Sequence, residues 1–179
     1  DEFNKNHNLN NFKNINFFNN FVSNSINENV TFYESKNDWE SSQTHSNFRL
    51  SSEYKIQSIT IDNLLKKYFL GDFIVVIKLD IEGNEINALK GALEVIKKVE
   101  PLIIIEFSKY SFENLDNIDY LKNFLIKYDY SIFDTNSKII AIDNMINMLK
   151  KLKKRYKTIG NYYLIKNSSK NLKVFLSNE

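Results

Sequence analysis

Two apolar runs joined by an amphipathic stretch constrain the fold of this chain more than any other feature. Residues 73–79 are apolar almost throughout, and so are residues 102–107. Such runs are typical of strands that are covered on both faces in a parallel sheet. Between them, apolar residues recur at helical spacing: Ile86, Leu89, Leu93 and Ile96. A strand, a helix and a strand of these lengths form a βαβ unit, whose right-handed crossover places the two strands parallel and close together.

The flanking sequence extends this alternation of strands and helices. Further strands are predicted at 15–22, 30–34, 56–61, 130–134 and 162–165, with a short one at 172–176. Helices are predicted after Asp62 and Asn84, which are both N-cap residue types, and at 121–128 and 143–157. The pattern predicts an α/β fold in a single domain, residues 1–179, with its core at 15–166.

Composition excludes several classes of site. The chain has no cysteine and only two histidines, His7 and His45, which excludes disulfides, thiolate zinc sites and a histidine metal cluster. A formal net charge of +2 gives no argument for binding nucleic acid. No apolar run approaches the ~20 residues of a membrane-spanning helix, and nothing resembles a signal peptide. We therefore expect a cytoplasmic protein with no membrane span and no nucleic-acid partner.

Each of the two apolar runs stops at a carboxylate, Asp80 or Glu106. Ligands of open α/β sheets bind outside the carboxyl ends of the strands, and neighbouring strands lie ~4.8 Å apart, so both acids can share one cleft. Lys78 points to the same side of its strand as Asp80, because side chains alternate along a strand. A lysine–carboxylate pair can polarise a substrate hydroxyl and accept its proton. The alternative is that both acids are only the polar ends of buried strands.

The segment that follows Asp80 contains three further residues, Glu82, Gly83 and Glu85, that can belong either to a site or to a turn. Glu82 and Glu85 lie in the turn and in the first helical turn, where the helix dipole alone can explain Glu85. Gly83 permits a tight strand-to-helix turn with positive φ on either interpretation. Two weaker candidates are the basic run 149–157, which suits a nucleotide-sugar phosphate or a solvated helix face, and His45, a proton carrier or a surface histidine.

The segment "IKLDIEGNEINALKGA" resembles the signature of the FkbM-type S-adenosylmethionine-dependent methyltransferases. In that family a strand ends in K-[IL]-D-[VI]-E-G and runs into a helix of the form E-x-x-x-L-x-G-A. The flanking segments "SITIDNLL", "PLIIIEF" and "FFNNFVSNSINENVTFYES" resemble the family's neighbouring segments in the right order. The resemblance covers most of residues 15–134.

The resemblance implies a class I methyltransferase-like (Rossmann-like) sheet, mostly parallel, with helices on both faces and an antiparallel last strand. It places Asp80 and Glu106 where such enzymes hold the acceptor, sometimes through a divalent metal bound by these acids. Lys78 is then catalytic together with them. The remaining site residues that it implies are Glu82 and Glu85 for the substrate, and Val22 and Ser23 beside the adenine of S-adenosylmethionine.

The chain departs from the family pattern in its cofactor half. The family's first strand ends in a D-x-G-A-x-x-G loop, whereas none of the four glycines here precedes Gly71, and residue 1 is not Met. We therefore expect the first two strands to be missing and this fragment alone to be inactive. In the complete protein, the resemblance implies methyl transfer to a hydroxyl of a sugar or secondary metabolite. The alternatives are a degenerate, non-catalytic domain used for interaction and a nucleotide-sugar-dependent transferase.

Overall fold

A computed structural model describes residues 5–6, 9–10, 13–35, 50–66, 75–108, 110–112, 114–151, 158–170, 172 and 175. The strands are β1 (Phe21–Val22), β2 (Asn29–Ser35), β3 (Leu50–Ile59), β4 (Val76–Leu79), β5 (Leu102–Ser108), β6 (Tyr130–Phe133) and β7 (Thr158–Lys166). The helices are α1 (Ile61–Leu65), α2 (Glu85–Lys90), α3 (Leu93–Val99), α4 (Leu115–Tyr128) and α5 (Ile142–Lys151), with a 3₁₀ turn at Tyr110–Phe112.

The described strands form two sheets. In the first, of order β1-β3-β2, β1 runs parallel to β3 while β2 and β3 are antiparallel. In the second, of order β4-β5-β7-β6, β4 and β5 are parallel and β7 is antiparallel to both of its neighbours. Since β5 and β6 both oppose β7, three strands of this sheet run in one direction and one runs in the other.

The α/β class is confirmed, but the prediction of one mostly parallel sheet needs correction. Both sheets mix parallel and antiparallel pairs. The cause is the β2–β3 pairing, which is antiparallel. The strand β7 also runs opposite to β5 and β6, as expected for the antiparallel last strand that the resemblance implies. The βαβ unit itself has the predicted form, because β4 and β5 pair in parallel, with Lys78 opposite Ile104 and Leu79 opposite Ile105.

The crossover between β4 and β5 is two helices and not one. Ile86, Leu89 and Ile96 are each at most 1% exposed, as their spacing predicted. The helix breaks at Gly91 and Ala92, between α2 and α3. Burial of apolar side chains is the main favourable contribution to folding. The apolar stripe therefore holds both helices of the crossover against the sheet despite the break.

Asp62 does not cap the helix that follows it, contrary to the prediction. Thr60 is the N-cap of α1, and its hydroxyl accepts the N–H of Asn63 at 3.1 Å. The carboxylate of Asp62 instead accepts the backbone N–H groups of Glu94 at 3.0 Å and Val95 at 2.9 Å. Asp62 therefore satisfies two of the open donors at the start of α3, and it helps to explain why a new helix begins there.

Other boundaries shift as well. The strand predicted at 15–22 is limited to Phe21–Val22. The helix predicted at 143–157 is observed as Ile142–Lys151, and 152–157 lie outside the described residues. Of the strand predicted at 172–176, only 172 and 175 are described, and both are helical. Within the described part of the chain, no helix is long and apolar enough to cross a membrane.

Candidate functional site

The structure brings Asp80 and Glu106 together at the carboxyl end of the parallel β4–β5 pair. Leu79 lies opposite Ile105 in the parallel pair. The residues that follow them, Asp80 and Glu106, therefore lie side by side. Lys78 is the main cause of the lowered pKa of Asp80, and the neighbouring Glu106 contributes less to it. The β5–β7 register shifts between Glu106 and Ser108. A bulge at this position redirects side chains and is common next to active sites.

Lys78 completes this cluster. Its Nζ lies 2.6 Å from Oδ2 of Asp80, and the two side chains are 56% and 42% exposed. The hydrogen bond from Lys78 holds the pKa of the Asp80 carboxyl below its ordinary value, while partial burial opposes that shift. The same bond raises the pKa of Lys78. At neutral pH the pair is therefore an ammonium and a carboxylate, both open to solvent and to a ligand.

The turn after Asp80 has an unusual backbone. Glu82 has φ 51° and Gly83 has φ 105°, so two successive residues occupy the left-handed half of the φ range. A Cβ atom added to Gly83 would lie 2.7 Å from Cβ of Tyr110, in the 3₁₀ turn that follows β5. Only glycine fits this contact. The Glu82 side chain is half-buried in the same turn.

The carboxylate of Glu85 is buried, with the residue 1% exposed. Its Oε1 accepts the N–H groups of Gly83 at 3.0 Å and Ile81 at 3.3 Å. Its Oε2 accepts the hydroxyl of Ser111 at 2.7 Å. Contact between Glu85 and a substrate stays a prediction, because in this conformation protein donors engage both oxygens. Sequence reasoning missed Ser111, although the spacing Ser108-x-x-Ser111 is typical of hydroxyls that stabilise a turn.

Val22 and Ser23, the predicted cofactor residues, end β1 and begin the bend that follows. The carbonyl of Val22 accepts the side-chain amide of Asn84 at 2.6 Å. The N–H of Ser23 donates to the carbonyl of Ile59 at 2.9 Å, and Ser23 is 7% exposed. These two backbone groups have partners inside the protein, and contact of Val22 and Ser23 with the cofactor stays a prediction.

A divalent metal would find few protein ligands here. Among the described residues, no group of three or more His, Cys, Asp or Glu side chains is placed to hold an ion. Asp80 and Glu106 alone could supply two carboxylates. Mg²⁺ is commonly bound by one or two carboxylates, with water and substrate completing its shell. The two acids therefore fit a hydrated ion shared with a substrate and do not form a complete protein cage.

A cavity of about 670 Å³ lies elsewhere, between α1 and α3. It is lined by Leu65, Lys66, Val95 and Lys98, among others, and none of the predicted site residues lines it. His45 lies outside the described residues, and so does most of the basic run, at 152–157. The nucleotide-sugar interpretation of that run therefore stays a prediction.

Comparison with known proteins identifies the family. The model of the methyltransferase FkbM domain matches residues 2–132, a stretch that contains all the predicted site residues. Neither the curated proteins nor the solved structures that were compared give a match. The matched stretch is well over half of the 179 residues and includes the Lys78–Asp80–Glu106 cluster. The chain belongs to the FkbM methyltransferase family.

Proposed function

We propose that this chain carries the acceptor half of an S-adenosylmethionine-dependent methyltransferase that acts on a hydroxyl of a sugar or secondary metabolite. One observation carries the proposal: Lys78, Asp80 and Glu106 lie together at the carboxyl end of two parallel strands, inside the family match. The β4-β5-β7-β6 sheet is, in this proposal, the second half of a class I methyltransferase sheet. A cytoplasmic location and an acceptor that is a small molecule or glycan belong to the same proposal.

Asp80 orients the acceptor hydroxyl and receives its proton. S-adenosylmethionine supplies an electrophilic methyl group when it is bound. Attack by oxygen requires that the hydroxyl be held in line with that group and that its proton leave as the new bond forms. Asp80 is ionised at neutral pH and 42% exposed as a side chain, so it can accept a hydrogen bond from such a hydroxyl.

Lys78 determines what kind of base Asp80 can be. The ammonium lowers the pKa of Asp80, which keeps the carboxylate ionised and at the same time makes it a weaker base. The main contribution of Asp80 is then to position the acceptor: its carboxylate fixes the direction of the hydroxyl and takes the proton late in the reaction. Glu106 lies beside Asp80 and offers a second acceptor to the same ligand or, with Asp80, a hydrated divalent ion.

A degenerate domain that binds a partner without catalysis is the second candidate. It is favoured by the sequence, in which no glycine precedes Gly71, and by the backbone groups of Val22 and Ser23, which are engaged inside the protein. In the part of the chain that the structure describes, little is therefore offered to hold the cofactor. In this candidate the acids stabilise strand ends, and substituting them changes no turnover.

Methyl transfer by protein from the full reading frame separates the two candidates. The protein is incubated with S-adenosylmethionine labelled in its methyl group and with a panel of sugars and hydroxylated small molecules. We expect label in one acceptor class and competition by S-adenosylhomocysteine. Folded protein that binds no S-adenosylmethionine and labels no acceptor would contradict the proposal and favour the degenerate domain.

A further inference from the structure

A buried carboxylate, that of Glu85, lies in the first turn of α2, just after the turn that follows Asp80. Glu85 is 1% exposed, and its three donors are neutral groups: two backbone N–H groups and one hydroxyl. Burial of a carboxylate is costly unless hydrogen bonds compensate for the lost water. The buried carboxylate of Glu85 is therefore explained by the groups that donate hydrogen bonds to it.

The donors belong to two different loops. Ile81 and Gly83 lie in the turn that begins immediately after Asp80, whereas Ser111 lies in the 3₁₀ turn after β5, the strand that carries Glu106. One oxygen of Glu85 holds the first loop and the other holds the second. The carboxylate therefore joins the loop after one acid to the loop after the other.

The second loop is itself fixed to the end of β5. The N–H of Ser108 donates to Oγ of Ser111 at 3.1 Å, and the N–H of Ser111 donates back to Oγ of Ser108 at 3.3 Å. Both serines are at most 2% exposed. Since Ser108 is two residues beyond Glu106, these bonds tie Ser111 to the strand end where Glu106 lies.

The first loop needs this support. Residues in the left-handed region cost of the order of 1–3 kcal/mol each for non-glycine side chains, and they persist only when the surroundings hold them. Glu82 is such a residue, and Gly83 follows it at φ 105°. The close approach of Gly83 to Tyr110 brings the two loops into direct contact as well.

We propose that Glu85 is a positioning residue, which clamps the turns after β4 and β5 together so that Asp80 and Glu106 face the same acceptor. This inference rests on the proposed methyl transfer for its functional part. This role requires the oxygens of Glu85 as hydrogen-bond acceptors and does not require its negative charge to act on a substrate. Glu85→Gln keeps one acceptor oxygen for the two backbone N–H groups, and its amide can still donate to Oγ of Ser111, whereas Glu85→Ala keeps neither link.

The test compares Ser111→Ala, Ser111→Thr, Glu85→Gln and Glu85→Ala in protein from the full reading frame. Glu94→Gln is the matched control, since Glu94 is an exposed acid in the first turn of α3. The readouts are amide hydrogen exchange at Ile81 and Gly83, the carbon chemical shift of the Asp80 carboxyl group, and kcat and KM for methyl transfer.

We expect Glu85→Ala to speed exchange at both amides and to lower kcat by about 100-fold, the size of effect that a displacement of about 1 Å can produce. Ser111→Ala removes one of the three bonds to Glu85 and also the acceptor of the Ser108 N–H. We expect a folded protein with a shifted Asp80 carboxyl signal and kcat lowered by about tenfold. Glu85→Gln and Ser111→Thr should recover most of that rate, with KM for S-adenosylmethionine unchanged throughout.

Two results would overturn the inference. One is wild-type kcat in Ser111→Ala, with the Asp80 carboxyl signal unmoved. The other is a loss of rate in Glu85→Gln as large as in Glu85→Ala, which would point to a role for the charge itself. If the wild type labels no acceptor, the proposed function fails. The positioning role of Glu85 is then tested by the Asp80 carboxyl signal of folded Ser111→Ala. A shift of that signal supports the role, and an unshifted signal overturns it.

Discussion

The side-chain amide of Asn84 donates a 2.6 Å hydrogen bond to the carbonyl oxygen of Val22. Asn84 directly precedes α2, and Val22 ends β1, so this bond joins the first sheet to the helix that follows the acid-bearing turn. Gly91, at the other end of α2, makes a second contact with the same segment: a Cβ added there would lie 2.2 Å from the carbonyl oxygen of Ser23. Both ends of this short helix therefore contact the segment at the end of β1.

Gly91→Ala tests this contact. Gly91 has φ −86°, which any residue adopts, so the only penalty is steric. We expect a loss of about 1–3 kcal/mol in the free energy of unfolding, as is common for overpacking, measured by urea denaturation. The control is Asn144→Ala, an exposed position on α5, for which we expect little change. Equal unfolding free energies for Gly91→Ala and the wild type would contradict the close approach.

Lys78→Met tests the electrostatics of the acid cluster. The bond from Lys78 is the largest cause of the lowered pKa of Asp80, so its removal should raise that pKa. A lowered folded-state pKa stabilises the protein above the unfolded pKa of Asp, and this contribution is lost as pH falls through the folded value. Since both side chains are largely exposed, we expect a small stability effect.

The measurement is a carbon NMR titration of the Asp80 carboxyl group. In the wild type we expect its midpoint below 3.8, the ordinary value, and in Lys78→Met a higher one. Lys122→Met is the matched control, since Lys122 makes a 2.7 Å ion pair with Asp143 on the surface. A midpoint that moves equally in both variants, or in neither, would be evidence against the assigned cause.

Tyr120 and Tyr130 form a natural pair for comparing a satisfied and an unsatisfied hydroxyl. Burial raises the pKa of Tyr120 to about 12, and its hydroxyl is buried with no hydrogen-bond partner among the described residues. The hydroxyl of Tyr130 donates to the carbonyl of Pro101 at 3.0 Å. We expect Tyr120→Phe to leave stability unchanged or higher, and Tyr130→Phe to cost about 1 kcal/mol. The reverse order in thermal unfolding would contradict the assigned contacts.

Binding of S-adenosylmethionine by residues 1–179 tests the cofactor side. These residues carry no glycine before Gly71, and the backbone groups of Val22 and Ser23 have partners within the protein. We expect calorimetry to show weak binding or none. Micromolar affinity would contradict this expectation and mean that residues 1–179 contain a cofactor site that neither the sequence nor the described contacts indicate.

The βαβ unit and the proximity of its acids could be predicted from the sequence because both depend on local patterns. Uninterrupted apolar runs define buried strands, and strands joined by one crossover must end at the same edge of the sheet. Asp80 and Glu106 follow from that argument alone. The resemblance of the motif around Asp80 identified the family, and the family match confirms that identification; the roles it implies for Lys78, Asp80 and Glu106 stay predictions.

The features that could not be predicted depend on contacts between distant segments. Asp62 has the residue type and spacing of an N-cap for α1, but its carboxylate caps α3, 32 and 33 residues away. Ser111 reaches Glu85 across 26 residues. The helix break at Gly91 depends on the approach of Ser23. Periodicity contains no information about such pairs, nor about the antiparallel pairing of β2 with β3 in the first sheet.

The most direct test of the central claim is the turnover of Asp80→Asn in protein from the full reading frame. The substitution keeps the size of the side chain and one acceptor oxygen but removes the charge that receives the hydroxyl proton, so we expect kcat to fall about 10²- to 10⁴-fold with the melting temperature nearly unchanged. Asp143→Asn, the surface acid paired with Lys122, should keep wild-type kcat. Unchanged kcat in Asp80→Asn would contradict the account and reduce Asp80 to the polar end of a buried strand.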